Sequence, residues 1–501
     1  MNDKAIKLIL IFLIIFTPLA FGSMELWAFS VMELGILLII ILAAVQKIGR
    51  KVSKGSNVPN NPNGHNVLNV TTVLLAAFLL LILFQMLPLP SGLLKILSPK
   101  TFALRSALSL QPSALPLEHS SSSLQPSSLG LEPSALSFEP SSLSFQPSSL
   151  SFPLSFFPFL TRIEFFKWLT LIGLFIFLLS WKPLEQGDRT IKQLMRVVMI
   201  VGVLESLYGM FEFFSGHQHI LYLKGPDSVT GTFSNRNYFA GYLLMVIPLS
   251  MGFLFSREAV SMNPFGGWRH RLSSLDGKTL LIGFSVMVMI LGLLFTASRM
   301  GILSLLLSFS LISLLFRNPG KGKRFSKTVV LIFGLALLWA AWIGLDAVIS
   351  RFFSVSESLE GRWEIWVNTF QILKDFPIFG SGLGTFMQVF PMVRSFHIQG
   401  LVTHAENDFL QLASEVGLLG IGLLLGTFLF LFFKGVSRIR SLSDGEPGRY
   451  IGIGGLVGIL ALMFHSIVER NIQVPANAFL YTFLWALVLR AGLTGKDDRS
   501  A

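Results

Sequence analysis

Stretch after stretch of this chain carries roughly 17 to 25 mostly apolar residues, enough as a helix to cross the roughly 30 Å hydrocarbon core of a bilayer. In that solvent each backbone N–H and C=O must be satisfied within the segment, which restricts such runs to helices. The expected fold class is therefore all-α, a polytopic integral membrane protein with about 12 transmembrane helices. The apolar runs place them at 5–21, 26–45, 68–87, 163–181, 194–213, 238–256, 279–296, 300–316, 328–345, 409–433, 451–468 and 476–490. Composition agrees: 13% of the residues are charged, about half the share usual in soluble domains. Residues 1–21 have the basic start and apolar stretch of a signal peptide, but a second apolar run follows at once, so we read a retained first span. With no cysteine, disulfides and thiolate metal sites are excluded.

The net charge of +12 does not point to nucleic acid, because the basic residues sit in short loops rather than on one motif. Loops 46–66, 182–196, 257–278, 317–327 and 434–449 carry about one Lys or Arg per four residues, and the alternate loops about one per fifteen. The positive-inside rule then puts both termini in the cytoplasm and loop 346–408 outside. The expected organisation is helices 1–3 in 1–87, an outer loop at 88–162, helices 4–9 in 163–345, a helical extracytoplasmic catalytic loop at 346–408 between spans 9 and 10, and helices 10–12 with a cytoplasmic tail in 409–501. Thr279–Phe316 is too long for one span, and its middle holds the charge of Arg299. We read it as a tight hairpin with Arg299 at the outer surface. In Gln111–Pro153 Pro112, Pro126, Pro133, Pro140 and Pro147 fall on a seven-residue grid, which forbids a continuous helix. This is a low-complexity loop with no assigned chemistry.

Four polar sites converge on the outer face. Gly231-Thr-Phe-Ser-Asn-Arg236-Asn237 enters the sixth span, either as a cap or as an anion seat of arginine beside free N–H groups. Arg299 is either a snorkelling anchor or a ligand for negative charge. Gly361-Arg362-Trp363-Glu364 is an interfacial amphipathic segment or a second such ligand. Thr403-His404-Ala405-Glu406-Asn407-Asp408 is the densest cluster of proton-handling groups, at the mouth of a span. Asn407 or Asp408 can cap that span, yet the segment holds more polar groups than anchoring requires. No Walker-type glycine loop and no Asp-x-Asp motif occurs, and mid-span charges are few, with Lys167 and Glu205 the notable ones. His217-Gln-His219 lacks a third ligand, so no metal is expected. Arginines suit a diphosphate and histidine suits proton removal near neutral pH. Together they suggest inverting glycosyl transfer, with arginines stabilising the departing diphosphate and His404 taking the proton of the attacking hydroxyl.

These residues carry a resemblance. Thr296-Ala-Ser-Arg299-Met-Gly301, Gly361-Arg362-Trp363, Phe376-Pro-Ile-Phe-Gly380-Ser-Gly382-Leu-Gly384, and His404-Ala-Glu-Asn407-Asp408-Phe-Leu-Gln411 with Glu415-Val-Gly417 resemble the O-antigen ligase/polymerase family, over about Leu223–Leu425. The resemblance implies a metal-independent transferase without cofactors, in the bacterial inner membrane with a periplasmic active site. Its donor would be an undecaprenyl-diphosphate-linked glycan and its acceptor lipid A-core, a growing glycan or a protein hydroxyl. It implies that His404 is the base and that Arg299 and Arg362 contact the diphosphate. Arg236 and Asn237 match a recurrent motif, and with Glu406, Asn407 and Asp408 they are the candidate substrate-binding residues. Ala405 departs from the asparagine that many members place after the histidine. Ligation is the leading expectation, polymerisation the alternative, and a small-anion transporter such as one for bicarbonate the reading from another class.

Overall fold

The computed structural model describes residues 2–53, 62–109, 151–181, 183–184, 188–217, 219–221, 223–224, 228–261, 276–315, 334, 338, 356–397, 400–443 and 446–490. Apart from 334 and 338, the expected span 328–345 lies outside the described residues, as do loop 317–327 and repeats 111–150. In chain order the helices are α1 (Asn2–Leu19), α2 (Leu26–Ser53), α3 (Pro62–Met86), α4 (Ser91–Leu97), α5 (Pro99–Ser109), α6 (Pro158–Ser180), α7 (Asp188–Ser215) and α8 (Arg236–Ser261). Then follow α9 (Gly277–Phe295), α10 (Arg299–Leu315), α11 (Ser356–Asp375), α12 (Phe386–Val389), α13 (Asp408–Arg440), α14 (Pro447–His465) and α15 (Pro475–Arg490). Eight of them, α2, α3, α6, α7, α8, α9, α13 and α14, are long and apolar enough to cross a membrane. Helices α1, α10 and α15 also coincide with expected spans, although α1 is more charged and α10 and α15 are short.

The spanning part of α8 is enclosed on all sides, and α14 is its closest neighbour. Helix α2 faces outward with Leu34, Leu38 and Ile41 exposed, as expected for a surface that meets lipid. The expected hairpin at Thr279–Phe316 is present as α9 and α10 joined by Thr296–Ser298, with Ala297 at φ 51°. The two helices diverge, and α10 packs mainly on α14.

Helix α13 is interrupted at Gly417, where φ is 67° and ψ −178°, a conformation open essentially to glycine alone. A Cβ there would lie 2.1 Å from the Ile378 carbonyl oxygen. Loop 376–384 fills the break. Leu418 N donates to Pro377 O at 2.8 Å, and Ser381 N and Gly382 N donate to the Ser414 and Glu415 carbonyls at 3.0 Å each. Gln85 Nε2 adds bonds to Phe379 O and Glu415 O, and the Glu415 carboxylate caps α12 through Gly384 N and Phe386 N. Backbone groups freed within a membrane helix are thus satisfied by protein. The Phe376–Gly384 and Glu415–Gly417 motifs serve this junction.

Outside the spans, a small core of Ile365, Ile372, Phe376, Phe386, Phe390 and Ala405 packs with others under the loop that precedes α13. Each large apolar side chain so buried contributes on the order of 1.5–3 kcal/mol. The flanks of the repeat segment join it. Strands β1 (Pro88–Pro90) and β2 (Ser151–Pro153) pair antiparallel, Leu89 opposite Phe152. Arg105 then donates to the Ser155 carbonyl at 2.7 Å, and Phe156 N donates to Ser381 O at 3.0 Å.

Candidate functional site

The loop from 400 to 407 is held at Ala405. Its N–H donates to Gln411 Oε1 at 3.1 Å and its carbonyl accepts from Trp366 Nε1 at 2.9 Å. Its methyl is fully buried in the small outer core, which accounts for the alanine at this position: a carboxamide there would be buried among apolar side chains. Fixing the Ala405 backbone on both sides fixes His404 beside it. Asn407 is the N-cap of α13, its side chain accepting from Leu410 N at 3.0 Å. Asp408 is 1% exposed and ties down a second loop, 466–474, because its Oδ2 accepts from Asn471 N and Ile472 N, both at 2.7 Å. Both residues are thus engaged in positioning backbone.

That second loop brings Glu469 and Arg470 to His404 and Arg362. Arg470 Nη1 donates to His404 Nε2, so Nε2 carries the lone pair and the proton resides on Nδ1. Arg362, on α11, donates to the Val468 carbonyl at 3.0 Å and to Glu469 Oε1 at 2.6 Å. Glu406, at φ 50°, turns its carboxyl toward that of Glu469, which Asn237 also approaches from the first turn of α8. Tyr238 reaches Arg470 from the same helix. At the end of α14, His465 bonds Ser298 at 3.3 Å and Asn471 at 3.2 Å. Arg236 opens α8 beside Asn237 and Arg299 opens α10 beside Ser298, both half-buried. Gly241 permits the close approach of α8, since a Cβ there would fall 2.0 Å from Asn471 Oδ1.

The residues expected from the sequence therefore gather at one end of the bundle. Glu469, Arg470 and His465 join them without having been singled out. The available signal was the polar triplet Glu469-Arg470-Asn471 in a short loop between two apolar helices. Of the two mid-span charges, Glu205 is occupied by Thr232, accepting from its N–H at 2.8 Å and its hydroxyl at 2.7 Å. Lys167 pairs with Glu164 and lies near enough for His404 to feel its charge.

The electrostatics follow from burial among like charges. Burial first, then Arg470 and Lys167, bring His404 down to about 3, so the ring is neutral at physiological pH. Burial raises Glu406 and Glu469 above the usual carboxylate range, Glu469 to about 7, against the pull of Arg362. Six of the fourteen buried polar atoms without a hydrogen-bond partner among the described residues belong to His404, Asp408, Ser466, Glu469, Arg470 and Gln473. Such atoms are rare in native proteins, and their concentration here singles this cluster out as the candidate site. Beside it, a cavity of about 370 Å³ runs between α6, α13 and α15. Glu164, Lys167, Glu415 and Gln473 are its polar lining residues near the site, and Phe428, Leu431 and Trp485 line it further along.

Residues 284–425 match the family described as O-Antigen ligase. The matched stretch contains Arg299, Arg362 and His404, and it starts later than Leu223, leaving Arg236 outside. The chain is also 25% identical over 286 residues to the Exopolysaccharide production protein ExoQ of Rhizobium meliloti (strain 1021). That alignment covers 55% of this chain and 61% of the relative's length. The chain is thus a multi-pass membrane protein by its apolar helices, similar over residues 284–425 to the O-antigen ligase family and over part of its length to an exopolysaccharide production protein.

Proposed function

We propose that this protein transfers a glycan from an undecaprenyl-diphosphate donor to a hydroxyl acceptor on the extracytoplasmic face of the bacterial inner membrane, without a metal or cofactor. The observation that carries this reading is the juxtaposition of a neutral histidine and arginines with a largely apolar cavity beside them, lined in part by Ile472 and Gln473 of the same loop as Arg470. Such a site suits a ligand with a diphosphate head and a hydrocarbon tail. The acceptor oxygen attacks the anomeric carbon as the bond from that carbon to the diphosphate oxygen breaks, inverting configuration. The electron pair leaves with the diphosphate, and the acceptor proton passes to His404 Nε2. Arg362 and Arg299 stabilise the charge developing on the leaving group, and Arg236 and Asn237 line the same end of the bundle.

In the resting site Nε2 is occupied by Arg470 and is weakly basic. A diphosphate drawing Arg470 toward itself would free that lone pair and offset the cation, restoring basicity when the donor is bound. Ligation to lipid A-core is the leading assignment. Chain growth is the second reading, favoured by a relative whose name refers to exopolysaccharide production. Purified protein in liposomes, given labelled undecaprenyl-diphosphate glycan and each acceptor, should yield a ligated or an elongated product. Anion flux with no glycan product would replace the transferase by a transporter.

A further inference from the structure

Arg362 and Arg470 are already partnered before any substrate arrives. Glu469 Oε1 lies 2.6 Å from Arg362 Nη2, with its side chain 5% exposed. Its Oε2 is buried without a hydrogen bond of its own, and the carboxyl it faces is that of Glu406. Two buried carboxyls facing each other cannot both stay ionised cheaply, so the pair holds about one proton. The groups around it are Arg362 from α11, Arg470 from its own loop, Asn237 and Tyr238 from α8, His404 and Asp408 at the entry to α13, and His465 at the end of α14. Arg362 and Arg470 are the cations that act on the carboxyl pair, and His404 is neutral.

We infer that Glu469, backed by Glu406, is an internal stand-in for the diphosphate, which must displace it from Arg362, so that donor binding takes up a proton. The inference rests on the diphosphate reading of this site. A diphosphate competes for the same guanidinium fork and adds negative charge beside the carboxyls. Glu469, once released from Arg362, loses the interaction that favoured its ionised form while remaining buried, and it protonates. Burial already sets Glu469 near 7, so this step falls within the working range of pH. The stand-in keeps the arginines from binding unrelated anions tightly and makes affinity for the donor sensitive to acidity.

The test uses the full-length protein in nanodiscs with a geranyl diphospho-sugar, a diphosphate diester of constant charge. Calorimetry in two buffers of different ionisation enthalpy reads proton uptake directly. Wild-type protein should take up a substantial fraction of one proton, with Kd tightening as pH falls, by at most about tenfold per unit for one linked proton. Glu469→Gln should bind the probe roughly tenfold more tightly at neutral pH, and uptake should vanish in Glu406→Gln/Glu469→Gln. If the substitutions prevent folding, uptake measured in His404→Gln decides, because His404 also gains basicity when the donor draws Arg470 away; uptake that vanishes there overturns the stand-in. Binding without proton uptake overturns the stand-in and leaves the diphosphate reading intact, as does a folded Glu469→Gln that binds no more tightly. No binding at any pH overturns both.

Discussion

Removing the charge of Arg470 should raise the basicity of His404. His404 moves from 6.5 to about 3 in the folded protein, a difference of roughly 5 kcal/mol between its protonation states. Burial is the largest cause and Arg470 the second, ahead of Lys167. The share of Arg470 is therefore less than half of that difference, on the order of 2 kcal/mol at most. Arg470→Gln should raise His404 partway back toward its ordinary value and no further, because the burial remains. Histidine ¹⁵N spectra across a pH titration, assigned against His404→Gln, would measure this, and Lys167→Met should give a smaller rise. The sign also sets a kinetic expectation. A base with a depressed pKa stays neutral at acid pH, so in the free enzyme kcat/KM should not fall through pH 6.5 on account of His404. Its acid limb should move up in Arg470→Gln. If His404 titrates unchanged in that variant, or Lys167→Met has the larger effect, the electrostatic account of the site is wrong.

Three further outcomes are expected. His404→Ala should lower turnover by about 10²–10⁴-fold with donor binding little changed, whereas Arg362→Ala or Arg299→Ala should weaken donor binding as well, measured as separate kcat and KM effects. Near-normal turnover in His404→Ala would exclude it as the base. Gly417→Ala should destabilise by at least about 1–3 kcal/mol of backbone strain, since the added Cβ meets the Ile378 carbonyl at 2.1 Å; an unchanged thermal midpoint in detergent would contradict this. In the cysteine-free chain, a cysteine at 403 should react with an impermeant thiol reagent from outside and one at 441 should not, and the reverse pattern would invert the topology and remove the donor argument.

How much of the site was legible depended on how local its signals were. The hairpin carrying Arg299 was readable because a lone charge inside the long, otherwise uncharged stretch Thr279–Phe316 has no inexpensive place except a turn. The cluster from His404 to Asp408 stood out by density. The cap at Asn407 was readable too, but the role of Asp408 was not, because it binds N–H groups of residues 471 and 472 that only folding brings near. Glu469 and Arg470 were passed over for the same reason: as a charged pair in a short loop they look like ordinary interfacial residues, and only their meeting with Arg362 and His404 distinguishes them. The repeat segment shows the converse, since its composition marked a loop but not that its flanks, 88–109 and 151–157, pack onto the outer core.

The sequence by itself determined that the chain is helical and crosses a membrane repeatedly, because hydrocarbon leaves a long apolar segment no alternative that satisfies its backbone. It also determined which side-chain types gather near the helix ends. The tertiary structure alone decided which of those side chains face one another: Arg470 on His404, Glu469 between Arg362 and Glu406, and a break in α13 filled by loop 376–384. Burial and through-space charge depend on distances between residues far apart in the chain. The protonation states on which any chemistry here depends are therefore properties of the packed bundle, not of any motif.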